Sequence, residues 1–125
     1  MTLLKDFYTE LSSTFDKNSS EKFSCEVELN PAHPVYKGHF EQMPVAPGVC
    51  LTQMLQELLE KKYETPLQLQ SADNIKFLSL VVPHQNPHLR IEFTVKKDDK
   101  MLEASAIVTS GTTTFMKFKG RFVSH

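Results

Sequence analysis

The spacing of hydrophobic side chains changes several times along the chain, and each change marks an element. Residues 2–15 carry Leu3, Leu4, Phe7, Tyr8, Leu11 and Phe15, the i, i+3, i+4, i+7, i+8 stripe that predicts an amphipathic helix. Asp16-Lys17-Asn18-Ser19-Ser20 is a polar cluster that ends it, so residues 1–20 are expected to form an N-terminal helix and turn. From Phe23 the period shortens to two. Phe23, Cys25, Val27 and Leu29 alternate with Ser24, Glu26, Glu28 and Asn30, the signature of a half-buried strand. Between Asn30 and Gly48 the chain holds Pro31, Pro34, Pro44 and Pro47, which helix and strand interiors reject, so a long structured loop is expected. Loops of that length inside a compact domain usually carry function.

A second helix is predicted over Cys50–Lys62, with Leu51, Met54, Leu55, Leu58 and Leu59 on one face and Gln53, Gln56, Glu57 and Glu60 on the other. Pro47 suits its start, and Lys61 and Lys62 suit its carbonyl end. The remainder is strand-like: Leu67 to Val82 is a β-prone run, Leu89 to Val95 and Leu102 to Val108 alternate, and Met116, Phe118 and Phe122 oppose Lys117, Lys119 and Arg121. Asp98-Asp99-Lys100 and Ser110-Gly111 read as hairpin turns, so these last strands are expected to be sequential and antiparallel. The order helix, strand, loop, helix, four strands predicts an α+β architecture, an antiparallel sheet on one long helix. One helix covers only part of such a sheet, so self-association is expected.

Composition narrows the class. A length of 125 residues predicts one domain spanning 1–125, with enough interior to need no disulfide or metal. Hydrophobic residues make up 40% and charged ones 23%, the balance of a globular chain and not a disordered one. No apolar run approaches the ~18 residues of a membrane-spanning helix, and the charges at Lys5, Asp6 and Glu10 interrupt any secretory core, which makes cytoplasmic residence the expectation. Cys25 and Cys50 are the only cysteines and fit a reducing compartment. Fourteen Lys plus Arg against 15 Asp plus Glu give a net charge of −1, so no global field draws in nucleic acid or an anionic membrane. The five histidines form no cluster at metal-ligand spacing, and no metal or cofactor is expected.

One of those histidines stands out. His39 follows a glycine in the Pro-stiffened loop, just upstream of a helix whose first amides are free. Such amides can hold a partly negative carbonyl oxygen, and an imidazole nearby can act as a base near neutral pH. Spacing alone leaves the alternative open that His39 is an ordinary loop histidine.

Gly38-His39-Phe40-x-x-x-Pro44-x-x-Pro47-Gly48-Val49 resembles the signature loop of the FabZ and FabA type 3-hydroxyacyl-acyl carrier protein dehydratases. Ile75 to Pro83 is similar to a further strand of that family, and the likeness runs from about Phe23 to Val123. The resemblance implies the hot-dog fold, an antiparallel sheet wrapped around a long central helix, here with the N-terminal helix added. It implies a dimer, with the acyl chain and its phosphopantetheine arm in a tunnel at the subunit interface. His39 would take a proton from C2 of a 3-hydroxyacyl thioester, and the Gly48 amide would bind the thioester carbonyl. Phe40, Val45 and Val49 would line the tunnel, or belong to ordinary core.

The sequence departs from the family where it matters most. The family's helix acid stands fourteen positions after the loop histidine, and here that residue is Gln53. An amide can align a hydroxyl but has no proton to give, so a share of rate of about 10²–10⁴ should be missing. Glu57 lies one turn further on, about 6 Å along the axis, and reads as a solvated or interface carboxylate. His33 reads as a turn residue. Arg90, Lys117, Lys119 and Arg121 would form a basic surface for an acidic acyl carrier protein, or would simply solvate the outer face of the sheet.

Three activities follow as expectations. The first is a 3-hydroxyacyl-carrier-protein dehydratase of fatty acid or related acyl-chain synthesis. The second is an impaired subunit that pairs with an active paralogue, as a heterodimer in place of a homodimer or within a higher oligomer. The third is a hot-dog acyl thioesterase.

Overall fold

The computed structural model describes residues 6–15, 21–37 and 45–124, with Phe15 by its backbone alone. The chain runs through β1 (Tyr8–Phe15), β2 (Lys22–Leu29), a 3₁₀ turn (Pro34–Tyr36), α1 (Gly48–Tyr63), β3 (Gln68–Phe77), β4 (His88–Asp98), β5 (Met101–Ser110) and β6 (Thr113–Val123). The strands form one six-stranded sheet in the order β1-β2-β4-β5-β6-β3, antiparallel at every pairing.

Alternation builds the sheet as expected over most of its width. Phe23, Cys25, Val27 and Leu29 of β2, and Leu89, Ile91, Phe93 and Val95 of β4, turn inward and are buried. They meet a broad apolar stripe of α1, which buries Cys50, Leu51, Met54, Leu55, Leu58 and Leu59. Pairs at i, i+1 and i+4 are covered together, so the sheet curls around the helix and does not merely touch one line of it. Each fully buried Leu contributes about 1.5–3 kcal/mol through removal from water.

Two expectations are corrected. The segment expected as an N-terminal helix is an edge strand from Tyr8 onward, paired with β2; residues 1–5 and 16–20 of that segment lie outside the described residues. Thr9, Ser12, Ser13 and Thr14 are weak helix formers, and β-pairing with β2 outweighs the apparent helical stripe. The register shifts between Glu10 and Ser12, so the inward face passes from Tyr8 and Glu10 to Ser13. That change of phase imitates a helical period. Leu11, which the helix reading would bury, is 51% exposed.

The second correction concerns β3. It lies at the far edge of the sheet, paired with β6. The β-prone run also stops at Phe77, and Leu78 to Val82 lie beyond the strand. The hairpins β4-β5 and β5-β6 do form, with Asp99 (φ 54°) and Gly111 (φ 58°) supplying the left-handed turn positions.

Candidate functional site at the start of the central helix

The loop that precedes α1 is tied down before it reaches the candidate base. Asn30 donates from Nδ2 to the Asp6 carbonyl at 2.9 Å and accepts at Oδ1 from the Ala32 amide at 3.0 Å. His33 Nδ1 accepts from the Val35 amide at 3.0 Å and caps the 3₁₀ turn, so the histidine read as a turn residue is one. Tyr36 stacks on Phe7 at 6.3 Å. It is buried, which pushes its phenol up to about 12, and its hydroxyl has no hydrogen-bond partner among the described residues. His39 and Phe40 fall in 38–44, outside the described residues.

The chain is described again at Val45, which is half-buried. The Ala46 amide donates to the Val81 carbonyl at 2.8 Å, and the Pro47 carbonyl accepts from Cys50 and Leu51 at 3.0 and 3.1 Å. These bonds make Gly48 and Val49 the first two residues of α1, whose amides have no carbonyl a turn earlier in the helix. Gly48 lies close under Phe77: a Cβ there would lie 2.6 Å from Cζ of the ring, whose exposed tip sits over the helix start and would have to swing aside. Val49 does not line core, since it is 76% exposed.

Gln53 follows five residues into the helix, about 7.5 Å along the axis, and helical side chains lean back towards the N-terminus. It is half-buried. Its Nε2 donates to Glu57 Oε2 at 3.2 Å. The other carboxylate oxygen of Glu57 accepts from the Tyr8 hydroxyl at 3.1 Å. Glu57 is 7% exposed, so the expectation of a solvated carboxylate is corrected: it is an interior acceptor, and Gln53 and Tyr8 are among its partners. Burial, reinforced by the Glu57 charge, raises the Tyr8 phenol above its ordinary range, so Tyr8 keeps its proton. Sequence reasoning missed Tyr8 because a helical reading of residues 2–15 conceals that Tyr8 turns towards α1. It also missed Phe77, whose β-prone neighbourhood was visible but whose closeness to Gly48 is a tertiary fact.

Other ionisable groups are structural. Glu10 pairs with Lys61 and accepts from Ser13; burial alone would raise its carboxyl, but these bonds more than offset that and hold it below the usual range. Burial pushes the Cys25 thiol up to about 11, which suppresses thiolate reactivity. On the outer face, Arg90 lies 3.5 Å from Glu26 and 3.2 Å from Glu92, Lys119 4.0 Å from Glu103, and Arg121 3.8 Å from Asp73. Arg90 on β4 is separated by β5 from Lys117, Lys119 and Arg121 on β6, so Arg90 stands apart from the other three cations. Among the described residues no group of three or more His, Cys, Asp or Glu is placed to hold a metal ion. No helix among them is long and apolar enough to cross a membrane.

A family model described as ApeI dehydratase matches residues 15–114. The chain belongs to the ApeI-like dehydratase family. A FabZ 3-hydroxyacyl-[acyl-carrier-protein] dehydratase of Pseudoalteromonas translucida (strain TAC 125) is 32% identical over 69 residues, covering 48% of this chain and 46% of the relative. The chain thus spans about half the length of the curated relative it matches. Among solved structures, an uncharacterized protein from Erwinia carotovora subsp. atroseptica aligns with TM-score 0.69 and 23% identity, covering 94% of this chain and 96% of that one. The dehydratase heterocomplex ApeI:P from Xenorhabdus doucetiae aligns with TM-score 0.71 and 16% identity, covering 92% and 96%. The ApeI-like chain therefore has the hot-dog fold, and its likeness to FabZ-type dehydratases stands.

Proposed function

We propose that this ApeI-like chain is a dehydratase subunit that removes water from a 3-hydroxyacyl thioester and forms the trans-2-enoyl product. The observation that carries the reading is the placement of Gly48 at the first turn of α1, directly after the Gly38-His39-Phe40 loop, with Gln53 on the same helix. The Gly48 amide would donate to the thioester oxygen, where charge develops as His39 removes the C2 proton. Gln53 would accept a hydrogen bond from the 3-hydroxyl and hold it in line for departure. The acyl group would arrive on an acyl carrier protein, as the FabZ relative's name states for that protein, with Arg90, Lys117, Lys119 and Arg121 as its docking cations. Val45 and Val49 would border the acyl chain near the helix start.

The active form would be a dimer. Val49, Phe77, Leu78 and Leu80 are exposed by 76, 53, 51 and 64%, and Phe77 lies against Gly48 at the helix start. A second hot-dog subunit covering this surface would also enclose the acyl pocket. Gln53 stands where the resemblance places the acid and donates an N–H to Glu57, so this position has no acid proton for the departing hydroxyl. That favours a pairing with a second, acid-bearing dehydratase chain, and the ApeI:P relative is a heterocomplex by its description. Incubation of the purified chain with 3-hydroxyacyl carrier protein tests the reading: enoyl product is expected, and His39→Ala is expected to abolish it. Activity that rises at least about a hundredfold on adding an acid-bearing paralogue would establish the paired form.

A further inference from the structure

The interior carboxylate of Glu57 has a role that the family pattern does not assign. An ionised carboxylate only accepts, and an amide has one donating and one accepting end. With Glu57 Oε2 facing Gln53 at 3.2 Å and Oε1 taken by Tyr8, the amide of Gln53 has one favourable orientation. Its NH₂ turns to Glu57, and its carbonyl oxygen is the end left over. That oxygen has no hydrogen-bond partner among the described residues, and Gln53 itself is only half-buried. Tyr8 anchors Glu57 from a strand, independent of α1.

We propose that Glu57, held by Tyr8, is a positioning residue that turns Gln53 into an acceptor-only group and so makes the pocket select 3-hydroxyacyl over 3-oxoacyl thioesters. The inference rests on the thioester reading above. A 3-hydroxyl donates to the Gln53 oxygen, whereas a 3-oxo group brings a second acceptor against it and leaves both lone pairs unsatisfied. A freely rotating amide would serve either ligand. When the hydroxyl departs, the hydrogen bond goes with it, so the clamp holds substrate and not product.

The test compares binding of 3-hydroxyacyl and 3-oxoacyl pantetheine amides of one chain length to the full-length chain by calorimetry. The wild type is expected to prefer the hydroxy compound by roughly tenfold, the worth of one hydrogen bond at a half-buried group. In Glu57→Gln, the new amide accepts from Tyr8 with its oxygen and donates to Gln53 with its nitrogen. Gln53 then presents N–H outward, and the preference is expected to vanish or reverse. A purely structural Glu57 would weaken both ligands alike and leave their ratio unchanged. Equal binding of both ligands by the wild type, or an unchanged ratio in Glu57→Gln, overturns the proposal while leaving the thioester reading in place. Failure of the wild type to bind either amide, both alone and with an acid-bearing partner chain, overturns the thioester reading and the proposal with it.

Discussion

Gln53 and Glu57 meet on one face of α1, and exchanging their side chains has measurable consequences. Gln53→Glu would set two carboxylates about 3 Å apart in a partly buried place. One of them must then stay protonated well above its ordinary range. The folded state would hold a proton that the unfolded chain releases, so stability is expected to fall as pH rises from about 4 to 7. Urea melts across that interval check it. The exchanged pair Gln53→Glu with Glu57→Gln removes the repulsion and should show no such slope. Glu10 gives the opposite sign. Its carboxyl is held below the usual range by Lys61 and Ser13, so its contribution is present above that range and lost as pH falls through its folded value. Lys61→Met should lower the neutral plateau slightly, because Lys61 is 72% exposed and screened, and flatten the acid limb by the same small amount while leaving stability at low pH unchanged.

At the scale of elements, close approach of backbone to side chain decides where glycine is needed. Gly120 lies on β6 between β5 and β3, and a Cβ there would fall 2.6 Å from the Phe118 ring and 2.7 Å from the Ser71 carbonyl oxygen. The carbonyl belongs to the sheet and cannot swing away. Gly120→Ala is therefore expected to lower stability by about 1–3 kcal/mol through overpacking, read from thermal or urea unfolding. The end of α1 shows the converse. Glu64 adopts φ 53°, ψ 41° as the C-cap, a conformation that glycine enters without penalty. Glu64→Gly is expected to raise stability by about 0.5–1 kcal/mol.

These elements also show what the sequence could tell. β2, β4, β5 and α1 were legible because each buries one face in a strict period, and the Pro-rich loop was legible because proline excludes regular structure. β1 was not, since the register shift after Glu10 breaks its alternation and spaces its side chains like a helix. The position of β3 was not legible either: hairpin turns specify β4-β5-β6, but nothing local tells a strand after a helix which edge to join. For the site, Gly48 and Gln53 were named through the resemblance to the FabZ-type loop and helix, while the Tyr8–Glu57 contact joins residues 49 apart in sequence and needed the fold.

The whole molecule brings an exposed apolar surface and the candidate site at the helix start together. If Leu78 and Leu80 lie in the subunit interface, Leu78→Asp with Leu80→Asp should convert a dimer to a monomer in sedimentation velocity while far-UV dichroism is preserved. The same variant should lose activity, because the acyl pocket would open to solvent. The proposed removal of water from a 3-hydroxyacyl thioester is tested most directly by mass spectrometry of the carrier-bound acyl group after incubation. The account predicts a loss of one water to give the trans-2-enoyl thioester, alone or with an acid-bearing partner chain, and no such product with His39→Ala. Unchanged 3-hydroxyacyl carrier protein under both conditions, or release of free acid without any enoyl product, would contradict it.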